Sequence, residues 1–267
     1  MFSFVELCKE KKKPLIMGIL NVTPDSFFDG GKAFSLDAIK LKVNTLCKQG
    51  ADIIDVGACS TAPGNALASE AEELARVREF LPCILENSKV PVSIDTFRPA
   101  VAELAASMGV QIINDESGCF NEAMATVIKK YGCGWIFMHT GNGTSNDVAQ
   151  YEKGVVSDVL SFFSKMRKQA LDFGISKECL CYDCGIGFGK NRNHDIELLS
   201  SCDVLVRFSP LLVGASRKRV IGELTGKTDP SDRLEGSVAV AKLLAEDGVD
   251  VLRVHDVEET VRAVKGV

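Results

Sequence analysis

PLIMGILNVTPDSFFDGG, residues 14–31, turns an apolar run abruptly into a polar loop that ends on two glycines. Leu15, Ile16, Met17, Ile19 and Leu20 have the pattern of a strand covered on both faces, as in a parallel sheet. Asn21, Thr23, Asp25, Ser26 and Asp29 follow at once, bracketed by Pro24 and the Gly30-Gly31 pair. A polar cluster at the end of a buried strand is the functional face of parallel α/β folds.

The same punctuation recurs outward from this stretch. Apolar periodicity predicts a helix over residues 36–49, with Gly50 as its stop, and a strand over 51–57 that runs into the loop ACSTAPGN. A helix over 69–86 precedes a strand over 90–94 that ends in Asp95-Thr96. Pro99 stands in the first turn of a predicted helix over 99–108. A strand over 110–113 ends in Asn114-Asp115, and a helix follows over 121–131. The strand over 134–138 runs into His139 and the loop TGNGTSND, ahead of a helix over 155–173. The last strands are read at 179–182, ending in Asp183 and the glycines of CGIGFGK, then at 211–213 and 249–254. Eight strand–helix units in 267 residues predict one α/β domain over residues 1–267, a (β/α)8 TIM barrel with its active site at the C-terminal ends of the strands.

Composition agrees with one large core, at 46% hydrophobic and 25% charged residues. A net charge of -5 argues against a nucleic-acid partner, which calls for a basic face, but leaves small anions open. No apolar run approaches the roughly 20 residues that span a bilayer. The opening MFSFVELCKEKKK carries its lysines after the apolar residues, unlike a signal peptide. Ten irregularly spaced cysteines then predict free thiols and a cytoplasmic location. Cys179, Cys181 and Cys184, with Cys202, could be stretched into a metal site, but alternation along ECLCYDCG favours apolar filling of a strand. His139 and His194 show no HxH or HxxxH spacing, so neither is assigned to a metal.

Seven residues stand where apolar runs stop: Asn21, Asp95, Asn114, Asp183, Lys218, Arg253 and His255. Any one of them could merely cap a helix. Together they predict a single mouth, because barrel strands bring their ends together on a rigid scaffold.

In one order and at barrel spacing, MGILNVTPDSFFDGG, SIDT, IIND, DCGIGFGK, LVGASRK and RVHDV resemble the motifs of the dihydropteroate synthase family. The resemblance implies a transferase of folate biosynthesis that condenses 6-hydroxymethyl-7,8-dihydropterin diphosphate with 4-aminobenzoate. It implies that Asp95, Asn114, Asp183 and Lys218, with Arg253, bind the pterin. Asn21, Thr61, Arg253 and His255 would hold the diphosphate, with Asn21 as the protein ligand of Mg²⁺. Phe27, Thr61, Pro63 and Phe188 would line the aminobenzoate pocket. The catalytic set would be Asp95, Lys218, Arg253 and His255, working on an SN1-like departure of diphosphate with no enzyme nucleophile. A homodimer is also implied. Two loops, residues 23–32 and 59–66, are rich in glycine, proline and small polar residues that suit closure over the diphosphate.

The chain departs from the family at three positions. Ser60, Thr61, Ala62, Pro63 and Gly64 stand where the family has Ser-Thr-Arg-Pro-Gly, and Cys59 and Cys184 replace its Glu and Pro. A lost hydrogen bond to a charged group is worth roughly 1.5–3 kcal/mol, so the missing arginine weakens binding or rate about ten- to a hundredfold. Arg98 and Arg192 are the candidates to compensate. Two alternatives stay open: methyl transfer from methyltetrahydrofolate to a corrinoid protein, and a catalytically weak pterin binder. Methyl transfer has no diphosphate to hold, so Asn21, Lys218, Arg253 and His255 favour the synthase; Ala62 favours the weak binder.

Overall fold

The apolar runs lie side by side, all parallel and in chain order, until the eighth meets the first. The strands are β1 (Leu15–Asn21), β2 (Ile53–Gly57), β3 (Val92–Asp95), β4 (Ile112–Asp115), β5 (Gly134–Met138), β6 (Leu180–Asp183), β7 (Leu211–Val213) and β8 (Val251–Val254). The computed structural model describes residues 1–11, 14–23, 35–59, 68–141 and 148–266. Within them the barrel is ringed by α2 (Leu36–Lys48), α3 (Glu70–Asn87), α4 (Pro99–Ser107), α5 (Glu122–Tyr131), α6 (Val155–Asp172), α7 (Arg192–Leu199), the short α8 (Cys202–Leu205), α9 (Arg219–Thr225), α10 (Leu234–Glu246) and α11 (Val257–Lys265).

One helix, α1 (Phe4–Lys11), precedes β1 and has no counterpart in the sequence reading. Its eight residues carry too little periodicity to be legible alone. The barrel decides it: Phe4, Leu7 and Cys8 enter the N-terminal end of the barrel and pack on Leu15, Ile53, Cys181 and Val251. Phe4 is fully buried, a contribution of about 2–3 kcal/mol.

Strand starts also differ from the sequence reading. Cys179 lies in a 3₁₀ turn ahead of β6, and Val249 and Asp250 lie ahead of β8. Asp250 bonds the neighbouring chain through its backbone, its amide donating to the Leu211 carbonyl at 3.0 Å, and through its side chain, whose Oδ2 accepts from the Leu211 amide at 2.8 Å and from Ser209 Oγ at 2.8 Å. Asp52 does the same before β2, accepting from the Ile16 amide at 2.9 Å and from Lys265 Nζ at 2.6 Å. Carboxylates at this end satisfy strand amides that have no ladder partner.

Helix starts follow their side chains. Ser69 and Glu72 form a reciprocal capping box on α3, and Asn121 accepts from the amides of Ala123 and Met124 at the head of α5. The cysteines divide by strand period: Cys181 faces the inner cluster under the barrel, whereas Cys179, Cys184 and Cys202 belong to the layer between strands and helices. This geometry fits apolar filling and separates Cys181 from the other three.

Candidate active site

Side chains alternate along a strand, so any residue an even number of places above a barrel-floor residue also faces inward. Met17, Ile53, Ile112, Cys181 and Val251 are floor residues. Asn21, Asp55, Asn114, Asp183, Arg253 and His255 therefore share the inward face. Register aligns Asn21 with Gly57, Gly57 with Asp95, and Asp95 with Asn114, so these ends are level at the mouth.

One half of the mouth is built on Arg253. Its Nη2 donates to Asp95 Oδ2 at 2.6 Å and its Nε to Asp55 Oδ2 at 2.7 Å. Asn114 Nδ2 donates to the same Asp55 oxygen at 3.2 Å. Asp55 is fully buried and was not among the residues singled out in the sequence. Its signal was present: a carboxylate in the middle of IIDVG, at an inward position of an otherwise apolar strand. Burial pushes the Asp95 carboxyl up against the pull of Arg253, and Glu116 and Asp55 add to the rise. Two carboxylates on one guanidinium leave this half net negative, which suits a donor-rich ligand edge.

The other half is built on Lys218. Its Nζ donates to the Ile186 carbonyl at 2.7 Å and lies 5.0 Å from the Phe188 ring centroid. Burial lowers the Lys218 ammonium while Asp183 opposes it, and Asp183 is pushed up by burial while Lys218 pulls it back. Asp183 Oδ1 also accepts from the Gly185 amide at 2.8 Å.

His255 closes the gap between the halves. Its amide donates to Ser216 Oγ at 3.2 Å, and its Nδ1 lies 3.2 Å from the same oxygen. Burial of the ring and then the Arg253 charge lower its pKa. Asn21 stands exposed at the end of β1 over Gly57, where a Cβ would lie 2.7 Å from its Oδ1. Glycine at 57 leaves that amide oxygen its place.

All seven strand-end residues are thus brought to one mouth, together with Phe188. Phe27, Thr61, Ala62 and Pro63 lie outside the described residues. Both candidate arginines already have acidic partners. Arg98 is paired with buried Glu73 and donates to the Ala68 carbonyl at 2.7 Å; Arg192 pairs with Asp195 at 3.1 Å. Cys59, where the family carries Glu, lies beside Arg98, whose carboxylate comes from α3 instead. His139 is buried and turned away from the mouth, with Nε2 2.8 Å from Asp158 of α6, and His194 serves the cap of α7.

The barrel, with carboxylates, a guanidinium and an ammonium converging at its C-terminal mouth, meets a family profile described as pterin binding enzyme, which matches residues 17–255. The chain belongs to that family of pterin-binding enzymes. Relatives of the chain within the family include dihydropteroate synthases. That of Escherichia coli is 42% identical over 255 residues, covering 94% of this chain and 90% of the relative. A dihydropteroate synthase structure from Clostridium difficile, obtained in the presence of pteroic acid, superposes with a TM-score of 0.88 at 40% identity, covering 96% of each chain. A Xanthomonas albilineans dihydropteroate synthase with 4-aminobenzoic acid gives 0.89 at 37% identity, covering 96% of this chain and 92% of the other.

Proposed function

We propose that the chain is a transferase that joins the methylene carbon of 6-hydroxymethyl-7,8-dihydropterin diphosphate to the amine of 4-aminobenzoate, releasing diphosphate and forming 7,8-dihydropteroate. The observation that carries the residue roles is the division of the mouth into an Arg253 half, ion-paired to Asp55 and Asp95, and a Lys218 half, whose ammonium is held up by the nearby Asp183 charge. Asp95, Asn114, Asp183 and Lys218 read the donor–acceptor edge of the pterin, and a compound without that edge would leave their buried polar groups unmatched. Two of Arg253's five donors are committed to Asp55 and Asp95, which hold the guanidinium at the mouth, where its plane can stack on the heterocycle.

Chemistry asks little covalent work of the protein. The carbon–oxygen bond to diphosphate breaks with its electron pair leaving on oxygen, and the dihydropterin spreads the positive charge that develops on the methylene. Asp95 lies beside that cation, and Arg253 and His255 face the departing anion. The arylamine nitrogen then attacks and sheds its proton to solvent. Burial raises the thiols packed inside the fold, as at Cys133, pushed up to about 11, and Cys202, to about 12, so these supply no nucleophile.

Magnesium fits as an ion carried in with the substrate. Among the described residues there is no cluster of three His, Cys, Asp or Glu side chains to cage one. Asn21 offers a single hard oxygen at an open rim, the situation of an ion that keeps its waters and shares phosphate oxygens. When bound, it would neutralise charge on the diphosphate. The aminobenzoate ring would rest on Phe188 together with Phe27, Thr61 and Pro63. Residues 1–267 act as one domain in this reading, in a cytoplasmic homodimer; ten free cysteines support a reducing compartment.

Incubation of the protein with pterin diphosphate, 4-aminobenzoate and magnesium, followed by chromatography for dihydropteroate, tests the reaction. No product under conditions where the Escherichia coli synthase turns over would leave the chain as a pterin binder.

A further inference from the structure

The DCGIGFGK loop between β6 and α7 is folded around charges, and its last residue lies deeper than a surface lysine can. Lys190 is only 3% exposed. Its ammonium donates to the carbonyls of Phe188 at 2.8 Å, Gly185 at 2.9 Å and His139 at 3.0 Å, so each of its three N–H groups has an acceptor. Two of these carbonyls belong to the loop and the third to the residue after β5. The loop amides turn the other way: Gly185 donates to Asp183, and Gly187 donates to buried Asp195 at 2.7 Å. Gly185, Gly187 and Gly189 all hold positive φ, at 66°, 82° and 61°. At Gly185 a Cβ would lie 2.0 Å from the His139 carbonyl oxygen, so the close approach of chain to chain at the ammonium requires glycine. Both contacts of Lys218 on this side, the Ile186 carbonyl and the Phe188 ring, are carried by the backbone that Lys190 gathers.

We propose that Lys190 is a positioning residue for the Lys218 half of the mouth: its buried ammonium takes the place of a bound cation at three converging carbonyls and thereby sets Ile186 and Phe188 under Lys218. Without it the Gly185 carbonyl keeps only the Phe188 amide, at 3.1 Å, and the Phe188 and His139 carbonyls lose their donor, so the loop must open to hydrate them. Burial pulls the ammonium down to about 8, which leaves it charged at neutral pH. Tyr151 secures the far end of the loop through the Gly189 carbonyl at 2.9 Å, so the lost order falls on residues 185–188.

The inference rests on the mouth being a pterin site, and two ligands separate the claims. Calorimetry on the parent and on Lys190→Met would use 6-hydroxymethylpterin and, separately, magnesium diphosphate, whose proposed contacts lie on the Arg253 side. The expected result is a pterin Kd raised at least tenfold with the diphosphate Kd within twofold. Equal losses for both ligands mean a general structural role and overturn the inference, as does a folded variant whose pterin Kd stays within twofold. A parent that binds no pterin would instead sink the functional reading. Lys190→Arg keeps the buried charge should the Met variant not fold; its planar fork cannot meet three carbonyls that converge on one point. We expect at least fivefold weaker pterin binding from it, and a Kd within twofold overturns the inference. In Lys190→Ala, n-propylammonium matches the deleted atoms and should restore pterin affinity. Recovery of melting temperature without recovery of pterin affinity would also overturn the positioning role.

Discussion

Arg253 meets two carboxylates, and that pairing decides what a substitution at either does. In Asp95→Asn the guanidinium keeps Asp55, so no buried charge is orphaned and the fold should stand. What disappears is the negative charge beside the pterin and its developing cation. We expect kcat to fall at least a hundredfold, about 3 kcal/mol of transition-state stabilisation; turnover within a factor of two of the parent would remove Asp95 from the mechanism. Ala62 is the opposite case, a charge the family carries and this chain lacks. Arg98 and Arg192 are each tied to an acidic side chain, so we expect neither to fill the gap. Ala62→Arg should raise kcat/KM about tenfold, with a gain that shrinks at high salt. Unchanged kcat/KM for both substrates would show that nothing was missing.

At the scale of elements, the two ends of the barrel have separate tasks. The N-terminal end is closed by α1, whose Phe4 is fully buried and meets Phe2 edge to face at 4.9 Å between ring centroids. The site lies at the other end of the strands, beyond the floor layer of Leu15, Ile53, Cys181 and Val251 on which α1 packs. Phe4→Ala should therefore lower the stability to denaturant by about 3–5 kcal/mol, with KM for both substrates unchanged. A chemical denaturation curve and steady-state kinetics on the same sample check it, and a changed KM would mean that α1 is coupled to the mouth. Loop β6–α7 is the element where fold and site cannot be separated, because its backbone is at once the acceptor for Lys190 and the seat of Lys218.

For the molecule as a whole, buried titratable groups set the acid limb of stability. His139 is 2% exposed, and because the Asp158 carboxylate can only accept, Nε2 carries the hydrogen and the ring is neutral. Burial first, then Lys190, hold its pKa down to about 4. An unfolded histidine titrates near 6.5, so between those values the unfolded chain binds the extra proton. Stability is therefore intact above about 6.5 and is lost as pH falls toward 4, by on the order of 3 kcal/mol. Asp95 and Asp183, raised by burial, act in the opposite sense over part of the same range. The difference between parent and His139→Gln isolates the histidine: melting curves from pH 4 to 7.5 should show a shallower acid loss in the variant. Parallel pH profiles would mean that His139 titrates normally in the folded state.

By itself the sequence determined the barrel and the family, because strand ends are local events. An apolar run that stops at Asn21, Asp95, Asn114, Asp183 or Arg253 declares both the strand and its polar end without reference to any partner. Only tertiary structure decided which carboxylates hold the guanidinium. Asp55 lies 198 positions from Arg253 in the chain and reads locally as an intruder in an apolar strand, and its meaning depends on barrel closure. The helix at residues 4–11 is too short to be fixed by its own propensity and needs a barrel end to bury against. Lys190 shows the same division: its place after a glycine-rich motif is plain in the sequence. Its three acceptors are backbone oxygens, which carry no residue identity, so only the folded loop places them round the ammonium.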